Sequence, residues 1–150
     1  AFVVDRLGFD TCIDYKAGPV GAALKAHCPE GVDVYFDNVG GDHLEAAISV
    51  LTKYGRVAMC GAISAYNSTE PQCAPRNLFQ AIGKELTLRG FIASSYNEYA
   101  GQFAELMAGW LRDGKVSYDE TFVDGLANAP QAFIDLMKGA NTGKMVVRLS

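Results

Sequence analysis

Short runs of β-forming residues alternate along this chain with amphipathic helical patterns, and this alternation constrains the fold more than any other feature. The β-rich runs occupy residues 12–15, 32–36, 56–60, 86–93 and 145–149. Between them, apolar residues recur at i, i+3, i+4 and i+7, most clearly over residues 44–51 and 99–110. A strand–helix–strand order builds right-handed βαβ units, so the sequence predicts an α/β fold with a mostly parallel sheet.

Helix boundaries follow from capping residues. Residues 1–7 resemble the end of a helix that terminates at Gly8, so we expect the chain to begin inside a helix. Asn128 is predicted to be an N-cap, with Pro130 in the first helical turn. The G-x-x-G at residues 18–21 indicates a helix start rather than a dinucleotide loop, because the G-x-G-x-x-G fingerprint is absent from the sequence.

Composition excludes several classes of protein. The 150 residues carry a net charge of −4, which disfavours a nucleic-acid surface. The densest apolar stretch, residues 57–63, is far shorter than the roughly 20 residues of a membrane span, and no secretory signal opens the chain. The four cysteines form no C-x-x-C pair, and the two histidines lack metal-ligand spacing. We therefore expect reduced cysteines, surface histidines and no metal site.

Three segments follow predicted strands in a way that permits ligand binding: residues 37–41, 60–67 and 90–94. In parallel α/β sheets, ligands bind beyond the carboxyl ends of the strands. Small residues in such turns let the backbone approach a ligand closely, and Asn38, Ser64 and Tyr66 supply polar groups. Each segment also fits an ordinary turn or core strand; for residues 37–41, with Asp42 capping the following helix, composition alone favours the ordinary turn.

A combination of segments is more specific than any one of them. Tyr-Phe-Asp-Asn-Val-Gly-Gly at residues 35–41 is followed by Gly-Arg-Val-Ala-Met-Cys-Gly-Ala-Ile-Ser at residues 55–64 and by Tyr66-Asn67. With these motifs the chain resembles the zinc-independent medium-chain dehydrogenase/reductase superfamily, most closely its prostaglandin reductase and alkenal (curcumin-type) double-bond reductase branch. Further matching segments lie at residues 8–10, 14–16, 114–115 and 138–144.

The resemblance implies a Rossmann-type doubly wound parallel sheet, truncated at its N-terminal side because the first strand and the glycine-rich turn are missing. Residues 1–150 would then be a partial NADP-binding Rossmann domain. Its C-terminal strand would return to an absent GroES-like catalytic domain.

The resemblance also implies a set of NADP-binding residues. Tyr15 would lie near the adenosine ribose and its 2′-phosphate, with Lys16 beside it, and Asn38 would reach the cofactor. The nicotinamide end would be surrounded by Cys60, Gly61, Ala62, Ile63, Ser64 and Tyr66. The carboxamide pocket would be lined by Phe91, Ile92 and Ala93, and Asn141 would close over the nicotinamide ribose.

The implied reaction is hydride transfer from NADPH to the β-carbon of an α,β-unsaturated ketone or aldehyde, with no metal. Tyr66 is the candidate donor to the carbonyl oxygen, on which negative charge develops. An equally weighted alternative is that Tyr66 only contacts the cofactor.

Other functions remain open at the level of sequence. The chain could be a non-catalytic nucleotide-binding or interaction module, because the pyrophosphate turn is missing. A free-standing flavodoxin-like domain also fits the alternation but matches the specific motifs poorly. As partners we expect a small enone or enal substrate, no nucleic acid and no membrane. We also expect a cytoplasmic homodimer that pairs through a strand running from Leu86 to Ser94.

Overall fold

The computed structural model describes residues 2–70 and 75–149, which form two compact units divided after Ala100. The first unit contains α1 (Phe2–Leu7), α2 (Val20–His27), β1 (Val32–Asp37), α3 (Gly41–Val50), β2 (Leu51–Met59), α4 (Ile63–Tyr66), α5 (Gln80–Lys84), β3 (Thr87–Gly90) and a 3-10 helix (Ala93–Tyr99). The second contains α6 (Ala100–Arg112), β4 (Glu120–Asp124), a 3-10 helix (Leu126–Asn128), α7 (Ala129–Met137) and β5 (Lys144–Arg148).

All strand pairs described are parallel, as the alternation of strands and helices predicts. In the first unit the strand order is β1-β2-β3, and in the second β4 pairs with β5. The predicted α/β class with parallel strands is therefore confirmed. The second unit also contains a strand that was not predicted from the sequence, β4; its run of β-forming residues, Thr-Phe-Val at 121–123, is the signal that could have found it.

The core of the first unit lies between α3 and one face of the sheet. Leu44 and Ile48 of α3 are buried against Leu51 and Val57 of β2. The helical spacing correctly places Leu44 and Ile48 on the buried face of α3. It wrongly extends the helix to Leu51, which is the first residue of β2. The buried face of α3 fixes the helix on the sheet and thereby sets where its N-terminal turn lies.

The predicted strand at residues 12–15 does not form. This segment has irregular backbone and ends in a turn at Tyr15, and Cys12, Asp14 and Tyr15 are exposed. A strand needs a hydrogen-bonded neighbour. Among the described strands β1 pairs only with β2, and residues 12–15 do not join its other edge.

The predicted strand from Leu86 to Ser94 is also too long. β3 ends at Gly90, and a 3-10 helix begins at Ala93. Ile92 precedes that helix and is 69% exposed, so it is outside the strand. The hydrophobic run continues past Gly90, where Phe91 packs its ring beyond the end of the strand. A hydrophobic pattern does not distinguish such a packed residue from a residue paired within the strand.

Helix ends mostly follow the capping predictions. Gly8 has a φ of 73° after α1, and its N–H donates to the carbonyl of Val4. Asn128 occupies the N-cap position of α7, with Pro130 in the first turn, although its side chain donates to the carbonyl of Asp124 instead of capping. Within the described residues, no helix is long and apolar enough to cross a membrane.

Candidate functional site at the ends of the first two strands

The turns that follow β1 and β2 are joined by hydrogen bonds into one structure, which we call the crossover turns (residues 37–41 and 60–66). The N–H groups of Cys60 and Gly61 donate to the carbonyl of Asp37, at 2.8 and 3.1 Å. Ile63 N–H donates to the carbonyl of Asn38 at 3.0 Å. Two of the predicted segments, residues 37–41 and 60–67, therefore lie together, because β1 and β2 are neighbouring parallel strands that end at the same edge of the sheet.

The same pattern continues one residue further along both turns. The carbonyl of Val39 accepts the Ser64 N–H at 3.2 Å and the Ser64 hydroxyl at 2.6 Å. Three consecutive carbonyls of the first turn thus accept hydrogen bonds from the second. The Ser64 hydroxyl braces the two turns, a structural use that the sequence reading did not anticipate.

The centre of the first turn is the buried carboxylate of Asp37, which is 1% exposed. Its Oδ1 accepts the N–H groups of Val39 and Gly40, at 3.0 and 2.9 Å, and the Tyr35 hydroxyl at 3.0 Å. Sequence reasoning missed this residue as an individual. The available signal was an Asp directly after a predicted strand and three residues before a Gly-Gly pair, where its side chain can close an Asx turn.

Asp42 does not cap α3. The N-cap position of α3 is Gly40, and Asp42 lies exposed in the first turn. No side chain caps this helix; Asp37 accepts the N–H of Gly40 itself, so the carboxylate holds the turn before the helix. The predicted cap at Asp42 is therefore wrong.

Tyr35 is half-buried beside Asp37 and donates its hydroxyl hydrogen to that carboxylate. Burial raises the pKa of the Tyr35 phenol well above its usual value, and the negative charge of Asp37 raises it further. The phenol therefore stays protonated over the whole physiological range and acts as a permanent donor to Asp37.

Two glycines allow the crossover turns to approach each other. Gly40 has a φ of 71°, and a Cβ there would lie 3.2 Å from the Cβ of Ala62. A Cβ on Gly61 would lie 3.1 Å from the Tyr66 hydroxyl oxygen and 3.3 Å from the carbonyl oxygen of Asn38. Larger residues at either position would push the two turns apart.

Tyr66 ends α4 and is 65% exposed at the open side of the crossover turns. Its hydroxyl oxygen accepts the N–H of Ala62 at 3.2 Å. The phenol is thereby held against its own loop, while its hydrogen can be donated elsewhere. Accepting one hydrogen bond polarises the O–H and makes it a better donor.

The turn after β3, residues 91–96, lies beside the crossover turns and is called here the β3 turn. Phe91 N–H donates to the carbonyl of Met59 at 3.1 Å. The Phe91 ring packs edge-on against Phe36 and Tyr96, with centroids 5.9 and 6.3 Å away. Ile92 and Ala93 are exposed. The structure thus places Phe91 with the ends of β1 and β2, on the side where Asn38 and Tyr66 are exposed.

Tyr15 lies against the start of α3. Its ring packs edge-on against His43, with centroids 5.1 Å apart, and the Lys16 ammonium lies 5.9 Å from the same ring. His43 is half-buried by this contact, whereas His27 is exposed as predicted. Tyr15 and His43 line the edge of a cavity of about 500 Å³ that reaches Gly18 and Arg76.

Asn141 belongs to the second unit, between α7 and β5. Its side-chain amide donates to the carbonyl of Gly143 at 2.6 Å, closing a tight local turn. Its predicted place over a nicotinamide ribose stays a prediction.

The crossover turns fit a flat, amide-bearing cofactor ring. An exposed amide, Asn38, and an exposed phenol, Tyr66, belong to two turns that glycines allow to pack closely, and the ring of Phe91 contacts Phe36 at the end of β1. For metals, no group of three or more His, Cys, Asp or Glu side chains that could hold an ion is found across residues 2–70 and 75–149.

Comparison with known proteins agrees with this geometry. Residues 7–147 match the zinc-binding dehydrogenase family. The chain is 40% identical to the NADPH-dependent curcumin reductase of Escherichia coli K12, over 96% of this chain and 43% of that protein. It is 43% identical to prostaglandin reductase 1 of Bos taurus, over 94% of this chain and 44% of that protein.

A solved structure matches closely as well. The crystal structure of CurA from Vibrio vulnificus in complex with NADPH superposes with a TM-score of 0.90 at 42% identity, over 99% of this chain and 46% of CurA. The chain therefore spans less than half the length of the relatives it matches. The resemblance to prostaglandin and curcumin reductases is confirmed, and the chain belongs to the zinc-binding dehydrogenase family.

Proposed function

We propose that the polypeptide containing this chain is an NADPH-dependent reductase of the C=C bond of α,β-unsaturated ketones and aldehydes, and that this chain supplies part of its cofactor-binding domain. The observation that carries the proposal is the match of 99% of the chain to CurA, a structure in complex with NADPH. The similarity to a curcumin reductase and a prostaglandin reductase supports the substrate class.

The residues that would hold the cofactor are those at the strand ends. Asn38, Phe91 and the loop from Cys60 to Tyr66 would hold the nicotinamide end. Tyr15, with Lys16 and His43 beside it, would hold the adenosine end, where basic groups favour a phosphate. Ile92, Ala93 and Asn141 remain part of the proposed cofactor site.

NADPH, when bound, supplies the hydride that is transferred to the β-carbon. The chain's own contribution is a hydrogen-bond donor for the oxygen on which negative charge develops. Tyr66 is suited to this because its hydroxyl oxygen accepts from Ala62 N–H and leaves its hydrogen for the substrate oxygen. The alternative, in which Tyr66 only contacts the cofactor, is decided by the Tyr66→Phe variant described in the Discussion.

The test uses the full-length polypeptide, NADPH and methyl vinyl ketone, with loss of NADPH absorbance as the readout. We expect turnover with the enone and none with butanone, which lacks the C=C bond. Reduction of neither compound, nor of any other member of an enone and enal panel, would overturn the proposal and favour a non-catalytic nucleotide-binding module.

We also propose that the protein pairs through the outer edge of β3. Phe91 N–H points to β2, so by strand alternation the Leu88 and Gly90 N–H groups point away from it. Gly90→Pro removes one outward N–H without a steric conflict, since nothing lies within 4 Å of a Cβ there. We expect a monomer in sedimentation; an unchanged dimer would contradict this pairing.

Finally, we propose a cytoplasmic location. Cys12, Cys28 and Cys60 are free thiols in the structure, as a reducing compartment would keep them. Fractionation of cells with an antibody to the protein tests this location.

A further inference from the structure

We propose that Asp37 is a positioning residue for nucleotide binding: its buried carboxylate sets the shape of the crossover turns and thereby the position of Asn38 and the Gly61–Tyr66 loop. This inference rests on the proposed function. Asp37 itself contacts no cofactor in this scheme; it acts through the backbone that it holds.

The first step of the argument is the burial of the carboxylate. An ionised carboxylate that is 1% exposed is stable only with its acceptor sites used. Here Oδ1 takes three donors: the hydroxyl of Tyr35 in β1 and the N–H groups of Val39 and Gly40 in the turn. Because these donors come from residues on both sides of Asn38, the backbone that carries Asn38 is confined to one shape.

The second step is transmission to the neighbouring turn. The carbonyls of Asp37, Asn38 and Val39 each accept a backbone N–H from residues 60–64. The backbone that the carboxylate holds is therefore the template for the second turn. Without the carboxylate, the first turn is no longer confined to one shape, and the second turn loses the fixed carbonyl acceptors that position it. The strands β1 and β2, which lead into the turns, remain paired.

The third step separates this role from helix capping alone. A capping side chain normally sits at the N-cap position. At α3 that position is Gly40, which has no side chain, and Asp37 accepts the N–H of Gly40 itself rather than a free N–H within the helix. The carboxylate thus spans Asn38 and Val39, whose backbone faces the second turn, rather than the helix start alone.

The experiment compares variants of the full-length polypeptide. NADPH affinity is measured by fluorescence titration, stability by melting temperature, and kcat and the two KM values by steady-state kinetics. For Asp37→Ala we expect the Kd and KM for NADPH to rise about tenfold, with a much smaller change in the KM for the enone. Asp37→Asn keeps an oxygen for the same donors and should restore NADPH affinity to within about threefold of the unmodified protein.

The matched control is Leu51→Ala. Leu51 is 2% exposed at the opposite end of β2, so its loss lowers stability without touching the crossover turns. At a temperature where both variants are folded, Leu51→Ala should leave the Kd for NADPH unchanged. An equal rise in Kd for both variants would reduce Asp37 to a general stabilising residue and overturn the inference.

Other outcomes are equally decisive. If Asp37→Ala does not fold, Tyr35→Phe removes one of the three donors and should raise the Kd for NADPH about threefold; no rise overturns the inference. Normal NADPH binding by a folded Asp37→Ala also overturns it. Absence of NADPH binding by the unmodified protein overturns the proposed function itself, and this inference with it.

Discussion

The crossover turns and the β3 turn lie side by side in the first unit, yet they are held by different interactions. The crossover turns are joined by backbone hydrogen bonds around the buried Asp37. The β3 turn is joined to β2 by one backbone hydrogen bond, from Phe91, and the Phe91 ring contacts those of Phe36 and Tyr96. Directional hydrogen bonds fix a backbone more narrowly than ring contacts between exposed side chains do.

This difference implies a division of work within the proposed cofactor site. The crossover turns are preorganised, so their groups are in position before a ligand arrives, which lowers the entropy lost on binding. The β3 turn, with Ile92 exposed, can adjust its shape around a ligand. Variants in the two regions should therefore differ in size of effect.

The largest effect is expected for Gly40→Val in the crossover turns. A branched side chain is strained at a φ of 71°, and its Cβ would lie 3.2 Å from that of Ala62. We expect the free energy of unfolding to fall by about 3 kcal/mol and NADPH binding to be lost. The matched control is Gly83→Val, because Gly83 lies in α5 with nothing within 4 Å of a Cβ. Equal unfolding midpoints in urea for the two variants would show that the turns are not held closely.

Next in size is Tyr66→Phe, which removes the hydroxyl at the open side of the crossover turns. If Tyr66 donates to the substrate oxygen, kcat should fall by about 10²-fold while the Kd for NADPH changes little. Ala62 N–H loses its acceptor but can bind water, since the hydrogen bond is exposed. A rise in Kd with an unchanged kcat would assign Tyr66 to cofactor contact alone. Tyr96→Phe, in the β3 turn, serves as the tyrosine control.

These two variants also mark what the sequence could predict. The motifs at residues 35–41 and 55–67 correctly predicted two strands that end at one edge of the sheet, and Asn38 and Tyr66 are exposed there. Local sequence patterns predicted these turns because each turn is formed by consecutive residues. They could not identify the hydrogen-bonding role of Asp37, because an Asp before Asn-Val-Gly-Gly fits an exposed turn as well as a buried one.

Long-range contacts were beyond prediction for the same reason. Lys84 donates to the carbonyls of Ile48 and Ser49 at the end of α3, and burial lowers the pKa of its ammonium. Arg76 forms a two-pronged pair with Glu45. The partners are more than 30 residues apart, so no local spacing encodes them. The segment from Ser64 to Pro75, rich in Ser, Asn, Thr and Pro, suggests irregular backbone, yet residues 64–66 belong to α4; residues 71–74 lie outside the described part of the chain.

A smaller effect is expected from the pH dependence of the Tyr35–Asp37 pair. Burial and the Asp37 charge raise the pKa of Tyr35 in the folded protein above its unfolded value of about 10. The folded state then keeps a proton that the unfolded chain loses. The contribution of Tyr35 is therefore complete below about pH 10 and is lost as the pH rises above it.

Tyr35→Phe should remove this dependence. Above pH 10 the unmodified protein should lose stability faster than the variant, by at most about 1.4 kcal/mol per pH unit and by less because the phenol is only half-buried. The measurement is urea unfolding at several alkaline pH values, with the two curves compared. Parallel declines for the two proteins would mean that the Tyr35 hydroxyl is not held by Asp37.

The smallest effect is expected for Tyr96→Phe in the β3 turn. The change removes the acceptor of the Arg89 guanidinium, at 3.0 Å, but keeps the ring against Phe91. Because the guanidinium can bind water instead, we expect the free energy of unfolding to change by less than about 0.5 kcal/mol and the Kd for NADPH to stay within about twofold. A rise in the Kd for NADPH as large as the one expected for Tyr35→Phe, about threefold, would mean that side-chain hydrogen bonds fix both regions. The crossover turns would then be no more preorganised than the β3 turn, because NADPH binding would depend on side-chain hydrogen bonds in both regions.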